Sequence, residues 1–153
     1  MNLTNKILLA EALDEFGFTH AVTIKPNFTR AVSQDRLQSL FSRIYVRVQR
    51  RVLGPRFHLP SKRSIQFPAI SVVEGLPYSG HLHGAFKVPD QHWATFEAMF
   101  DPASREHQAL ARLLPGGTWH TEVMDNPKGW FSYTFKQIWK ADHIDRIQMF
   151  PMS

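Results

Sequence analysis

Hydrophobic residues recur along this chain at two spacings, and each change of spacing marks an element. Leu9, Ala12, Leu13 and Phe16 fall on one helical face, and Gly17 can end that helix. The stretch THAVTIKP, Thr19 to Pro26, is β-branched and stops at proline, which predicts a strand. Leu37, Leu40, Phe41, Ile44, Val48 and Val52 then form one stripe. They predict a long helix with Ser33 as N-cap, running to Leu53, with Gly54-Pro55 as the stop. IQFPAISVVEG predicts a strand around Ile70 to Glu74, and HLHGAFKV the next, as neighbours joined by the loop Gly75 to Gly80. Asp90 can cap a helix running to Phe100, with Trp93, Phe96 and Phe100 on its apolar side. A second helical stretch to Leu114 follows Pro102, and PGG marks a turn. TWHTEVM alternates like a strand, and DRIQMF predicts a last short one. Between them NPKGWFSYTFKQIWKA opens with turn chemistry and continues as a helix, although its aromatics also suit a strand.

This order of strands and helices predicts an α+β fold, a ferredoxin-like split βαβ arrangement around a central antiparallel sheet. No repeat or low-complexity tract interrupts it. With 153 residues, 43% of them hydrophobic, residues 1–153 are expected to form a single domain with a real core.

Charge narrows the partners. Basic residues exceed acidic ones by five, which favours a polyanion such as nucleic acid. Arg36, Arg43, Arg47, Arg50 and Arg51 fall largely off the apolar stripe of the long helix, and GPRFHLPSKRS is a basic loop containing proline. Arg43, Arg47, Arg50, Arg56, Lys62 and Arg63 are therefore the candidate DNA contacts, although a solvated charged surface explains the same pattern. The absence of cysteine excludes disulfides, thiolate zinc sites and cysteine nucleophiles. The apolar run Ile7 to Ala10 is too short for a signal peptide, and no apolar window approaches membrane-spanning length. The expectation is a soluble cytoplasmic protein with no membrane partner.

The chemistry concentrates in two places. In SGHLHGAFKVP, His81 and His83 are two apart on a strand, so both imidazoles face one side and Leu82 the other. Eight histidines in this length give roughly 0.4 such pairs by chance, so the pair alone is weak evidence. Glu74 ends the preceding strand, and hairpin pairing can bring it near both rings. Two imidazoles and a carboxylate suit Mn²⁺ or Mg²⁺ with positions left open for a phosphate oxygen, and zinc accepts the same ligand types. Further on, Tyr133 and Lys136 are three apart, on one face of the predicted helix. A phenol can attack an electrophile that a metal ion has polarised, and an ammonium can hold a phosphate. Tyrosine in an apolar setting is also ordinary core. Of the neighbouring aromatics, Trp130, Phe131, Phe135 and Trp139, most are expected in the core rather than stacked on bases.

In this order the pieces resemble the rolling-circle replication initiators, the HUH endonucleases with one catalytic tyrosine. HAVTIKPN resembles their first motif, an apolar and Thr-containing strand. His81-Leu82-His83 matches their His-hydrophobe-His, and Tyr133-Thr134-Phe135-Lys136 their Tyr-x-x-Lys. TEVMDNPKGWFSY is similar to the lead-in of that motif in bacterial and plasmid members. The resemblance spans about Phe18 to Met149. It implies that His81, His83 and Glu74 ligate Mn²⁺ or Mg²⁺, that Tyr133 is the nucleophile and that Lys136 positions the metal or the scissile phosphate. The implied reaction is nicking of single-stranded DNA at a replication origin of a plasmid, phage or chromosomal element, through a 5′-phosphotyrosine that needs no ATP. There is no GxxxxGK[ST] helicase motif, so a nuclease-only protein or an excised domain working with a host helicase is implied.

Other classes fit parts of the pattern. A ferredoxin-like, non-catalytic single-strand binder uses the same charge and aromatics. An RNA-processing nuclease would use the histidines for acid–base chemistry without metal. A structural protein with scattered histidines stays open.

Overall fold

Five strands form one sheet in the order β4-β1-β3-β2-β5, with every neighbouring pair antiparallel. They are β1 (His20–Lys25), β2 (Ala69–Glu74), β3 (His81–Phe86), β4 (Thr118–Val123) and β5 (Ile147–Phe150). The computed structural model describes residues 3–28, 30–141 and 143–151, and the side chains of 8–28, 30–135 and 143–151. Strands β1 and β2 both flank β3, so they run parallel to each other, and helix α2 (Gln34–Leu53) links them. Strands β3 and β4 flank β1 in the same way. Their link is α3 (Trp93–Phe100) and the single turn α4 (Gln108–Ala111). Helices α1 (Leu3–Glu15) and α5 (Pro127–Ala141) complete the chain. The architecture is α+β and compatible with a ferredoxin-like fold. Among the described residues no helix is long and apolar enough to cross a membrane.

Local chemistry sets the long helix. The Ser33 hydroxyl accepts the Arg36 N–H at 3.1 Å, satisfying one of the unpaired amides of the first turn. Gly54, at φ +95°, closes the other end by donating its N–H to the Arg50 carbonyl. Between the caps, Leu37, Leu40, Phe41, Ile44 and Val48 are buried, each worth about 1.5–3 kcal/mol against exposure.

Strand alternation divides the interior into two layers. On one face, Val22, Ile24, Val73, Leu82 and Phe86 meet α2, α3 and α4 through Phe41, Ile44, Phe96, Met99 and Leu110. On the other, Ile70, Val72 and Ala85 meet Leu13 of α1 and Phe131 and Phe135 of α5. Phe131 and Phe135 are thus core, as expected. Trp130 is half-buried against the same cluster, and the side chain of Trp139 lies outside the described residues.

Two details depart from the sequence reading, and a third follows it. Asp90 caps nothing with its side chain. It starts a three-residue 3-10 turn, Asp90–His92, placed directly after Pro89, and α3 begins only at Trp93. Helix α4 stops at Ala111 rather than Leu114. Leu113 and Leu114 close tighter bonds to the Leu110 and Ala111 carbonyls on the way to Gly116 at φ +74°. The aromatic run after Asn126 is helix, because the Asn126 carboxamide oxygen accepts the Gly129 N–H at 3.0 Å and starts the turn.

Candidate metal centre

Cross-strand register assembles the site. Glu74 pairs with His81, and Val72 with His83, across β2 and β3. Thr23 of β1 pairs with His83 from the other side. Directly paired residues point to one face of a sheet. Glu74, His81, His83 and Thr23 therefore share the α1/α5 face, on the central strand and its two neighbours.

The three ligand-type side chains converge. Glu74 Oε2 lies 3.4 Å from His81 Nε2 and 3.4 Å from His83 Nε2. An ion bonded to nitrogen and carboxylate oxygen at about 2.1–2.2 Å separates adjacent ligand atoms by about 3.0–3.5 Å. The three ligand atoms lie within 4.8 Å of one another, and no other such group occurs among the described residues. The side chains are 17–26% exposed, so a bound ion would keep an open side.

The far nitrogens carry more information. His81 Nδ1 lies 2.9 Å from the Ser79 carbonyl, which can only accept, so Nδ1 carries a proton. His81 Nε2 then faces the Glu74 carboxylate either as a second N–H or as a lone pair. Two lone pairs at that distance repel, so the gap calls for a proton or a metal cation. His83 Nδ1 is 3.4 Å from the Thr23 hydroxyl, a weaker version of the same orientation.

Ionisation follows from these contacts. Burial opposes the charged form of Glu74. Hydrogen bonding and charge attraction from His81 and His83 outweigh it and hold the carboxyl down at about 2. The Glu74 contact raises the pKa of His81 above its usual value, against burial and with help from the Ser79 carbonyl. Lys25, a nearby cation, acts in the opposite sense. The cluster as it stands is a carboxylate held by protonatable imidazoles, and a divalent ion can replace the protons. The residues therefore fit a metal ion.

The other predicted site residues lie apart from this cluster to different degrees. Tyr133 is on α5, which covers the same face of the sheet, but it projects from the side opposite the buried Phe131 and Phe135 and is 77% exposed. Its hydroxyl has no hydrogen-bond partner among the described residues. Lys136 is one turn further along α5, and its side chain lies outside the described residues. Arg43 and Arg50 are exposed and Arg47 half-buried on α2, which packs on the opposite face from the ligands. Arg56, Lys62 and Arg63 are exposed in the segment entering β2 at Ala69, five residues and about 17 Å of strand from Glu74.

Two contributors escaped the sequence reading, Thr23 and Lys25. Both sit on the outward alternation of THAVTIK, beside the apolar Val22 and Ile24, and that alternation was the available signal. Of the three tyrosines, Tyr45 is no nucleophile. It is buried, donates to the Phe67 carbonyl at 3.2 Å, and burial pushes its phenol well above the usual value. No family model, curated protein or solved structure matches the chain.

Proposed function

We propose that this chain is a metal-dependent endonuclease and strand transferase for single-stranded DNA, of the HUH type with one catalytic tyrosine, on a ferredoxin-like split βαβ core. One observation carries the proposal. Two imidazoles of a His-hydrophobe-His strand and a carboxylate of its neighbour converge to 3.4 Å, on the sheet face covered by the helix that bears Tyr133.

Glu74, His81 and His83 would hold Mn²⁺ or Mg²⁺. When bound, such an ion polarises the scissile phosphate and offsets its charge. The Tyr133 oxygen attacks phosphorus, its proton leaving to solvent, and the bond from phosphorus to the 3′-oxygen breaks. The 3′-oxygen takes up a proton as a free hydroxyl, and the 5′-phosphate stays on Tyr133. Lys136 steadies the phosphate or the metal. The phosphoester is kept in the tyrosyl link, so the reverse attack rejoins ends without ATP. Cutting at a replication origin in this way starts rolling-circle synthesis, with unwinding supplied by a host helicase.

The test is incubation with single-stranded origin DNA and Mn²⁺, followed by a denaturing gel. A covalent adduct is expected, absent in Tyr133→Phe and in EDTA. An adduct of equal yield in Tyr133→Phe overturns the assignment. Strand binding that EDTA leaves unchanged, with no adduct, moves the chain to the non-catalytic binders.

A further inference from the structure

The arginines of α2 lie across the sheet from the metal centre, and the 56–63 segment enters β2 at the end away from Glu74, so groups that hold a strand beside the ligands must come from elsewhere. Lys25 ends β1 in the same row of alternate side chains as Thr23, whose hydroxyl meets His83. Because Ile24 pairs with Leu82, the next step along both strands sets Lys25 beside His81. It is exposed and makes no ion pair among the described residues.

The second group is on the loop between the ligands. From Glu74 the chain turns through Gly75 to Gly80 and returns at His81. Three hydrogen bonds of 2.9 Å fix it: Ser79 N–H to the Gly75 carbonyl, Val32 N–H to the Pro77 carbonyl, and His81 Nδ1–H to the Ser79 carbonyl. On this pinned loop Tyr78 is 81% exposed, the most exposed of the large hydrophobic side chains described. Three residues of chain keep its Cα within about 11 Å of that of His81. An exposed aromatic ring and a lysine that both neighbour His81, one along the loop and one across the strand, are the combination that single strands use, one for a base and one for the backbone.

The geometry points to a strand-binding strip on the metal face, in which Tyr78 stacks on a nucleobase and Lys25 contacts a phosphate next to the metal centre. The inference rests on the reading of function above and assigns the strand to this face rather than to the α2 arginines.

Fluorescence anisotropy of a labelled oligothymidylate with the full chain tests it. Tyr78→Ala is expected to weaken binding roughly 5- to 150-fold, the range for losing one base stack, while Tyr78→Phe keeps both binding and adduct formation. Lys25→Gln is expected to weaken binding and lower the salt slope by about 0.7. The triple variant Arg43→Gln, Arg47→Gln, Arg50→Gln should bind nearly as the parent does. The inference is overturned if Tyr78→Ala and Lys25→Gln bind as the parent while the arginine variant releases the strand. If the unaltered protein fails to bind oligothymidylate even at low salt, the functional reading itself falls, a result visible without any variant.

Discussion

Glu74 and His81 face each other at the loop end of the β2–β3 hairpin, and the carboxylate oxygen that touches His81 Nε2 is also 3.4 Å from His83 Nε2. One acceptor atom thus serves two rings. Each ring has its other nitrogen engaged, by the Ser79 carbonyl and the Thr23 hydroxyl. The rings are oriented before any ion arrives, which reduces the ordering that binding must impose.

The first prediction concerns pH in the metal-free protein. Glu74 falls from about 4.5 to about 2 on folding, so its contribution is present above about 4.5 and lost as pH drops through 2. His81 rises above 6.5 on folding, so its contribution is complete below 6.5 and lost as pH climbs through the raised value. Both are complete between about pH 4.5 and 6.5. Urea unfolding in EDTA should show the largest stability gap between the parent and Glu74→Gln inside that window. A gap that does not vary with pH removes the ion pair from the account.

The second prediction is metal-dependent stability. A site absent from the unfolded chain stabilises the fold by about 2.7 kcal/mol when free metal is 100 times Kd. Mn²⁺ should raise the melting temperature of the parent, and more so at pH 8 than at pH 6, because His81 must lose a proton to bind. Glu74→Gln and His83→Ala should bind at least about tenfold more weakly by calorimetry, consistent with losing a ligand. Equal shifts in all three proteins would place the ion elsewhere.

Most of the fold was legible because each element carries its own period. The stripe Leu37 to Val52 could only be a helix with one buried face, and the alternation around Leu82 put His81 and His83 on one side. Glu74 was legible because a short loop forces β2 and β3 to pair. What a single strand's period does not reveal is which helix covers which face. That depends on β1 lying between β3 and β4, a long-range pairing with no local signature, and it decides that the α2 arginines lie across the sheet from the ligands. Thr23 and Lys25 were invisible as neighbours of His83 and His81 for the same reason. The exposure of Tyr133 was likewise outside the reach of a Tyr-x-x-Lys pattern.

The third prediction separates two glycines of the hairpin. A Cβ on Gly84 would stand 2.8 Å from Phe41 Cε2 and 2.9 Å from Val22 Cγ2, wedging α2 off the sheet. Gly84→Ala should cost about 1–3 kcal/mol of stability, as overpacking does, and leave Mn²⁺ affinity per folded molecule unchanged. Gly75 has φ +75°, and a Cβ there would collide with the Ser79 carbonyl and come within 3.0 Å of His81 Nδ1. Gly75→Ala should therefore lower metal affinity as well as stability. Calorimetry and urea unfolding on the two variants distinguish these patterns, and equal metal loss in both contradicts the layered arrangement.

The fourth prediction uses a histidine on the far face. His20 is fully buried, edge-on to Trp93 and beside Phe96, with Nδ1 2.8 Å from the Thr19 hydroxyl and Nε2 2.9 Å from Glu97 Oε1. The Thr19 hydroxyl has one proton, and the Phe86 carbonyl at 3.1 Å competes with His20 Nδ1 for it. The Phe86 carbonyl already accepts the Thr19 N–H, so if the hydroxyl donates to His20 Nδ1, His20 donates Nε2–H to Glu97 and every group is satisfied. In that tautomer Glu97→Gln keeps an acceptor oxygen and should be nearly neutral. Glu97→Leu leaves a buried N–H unpaired and should cost about 1–3 kcal/mol, towards the lower end because Glu97 is 44% exposed and water can approach. Neither change should alter Mn²⁺ affinity or strand cleavage, since β1 separates His20 from Thr23 and the ligands by side-chain direction. Unfolding curves and metal titrations of the two variants check this. A loss of metal binding in Glu97→Leu with the fold intact would show that the two faces are coupled.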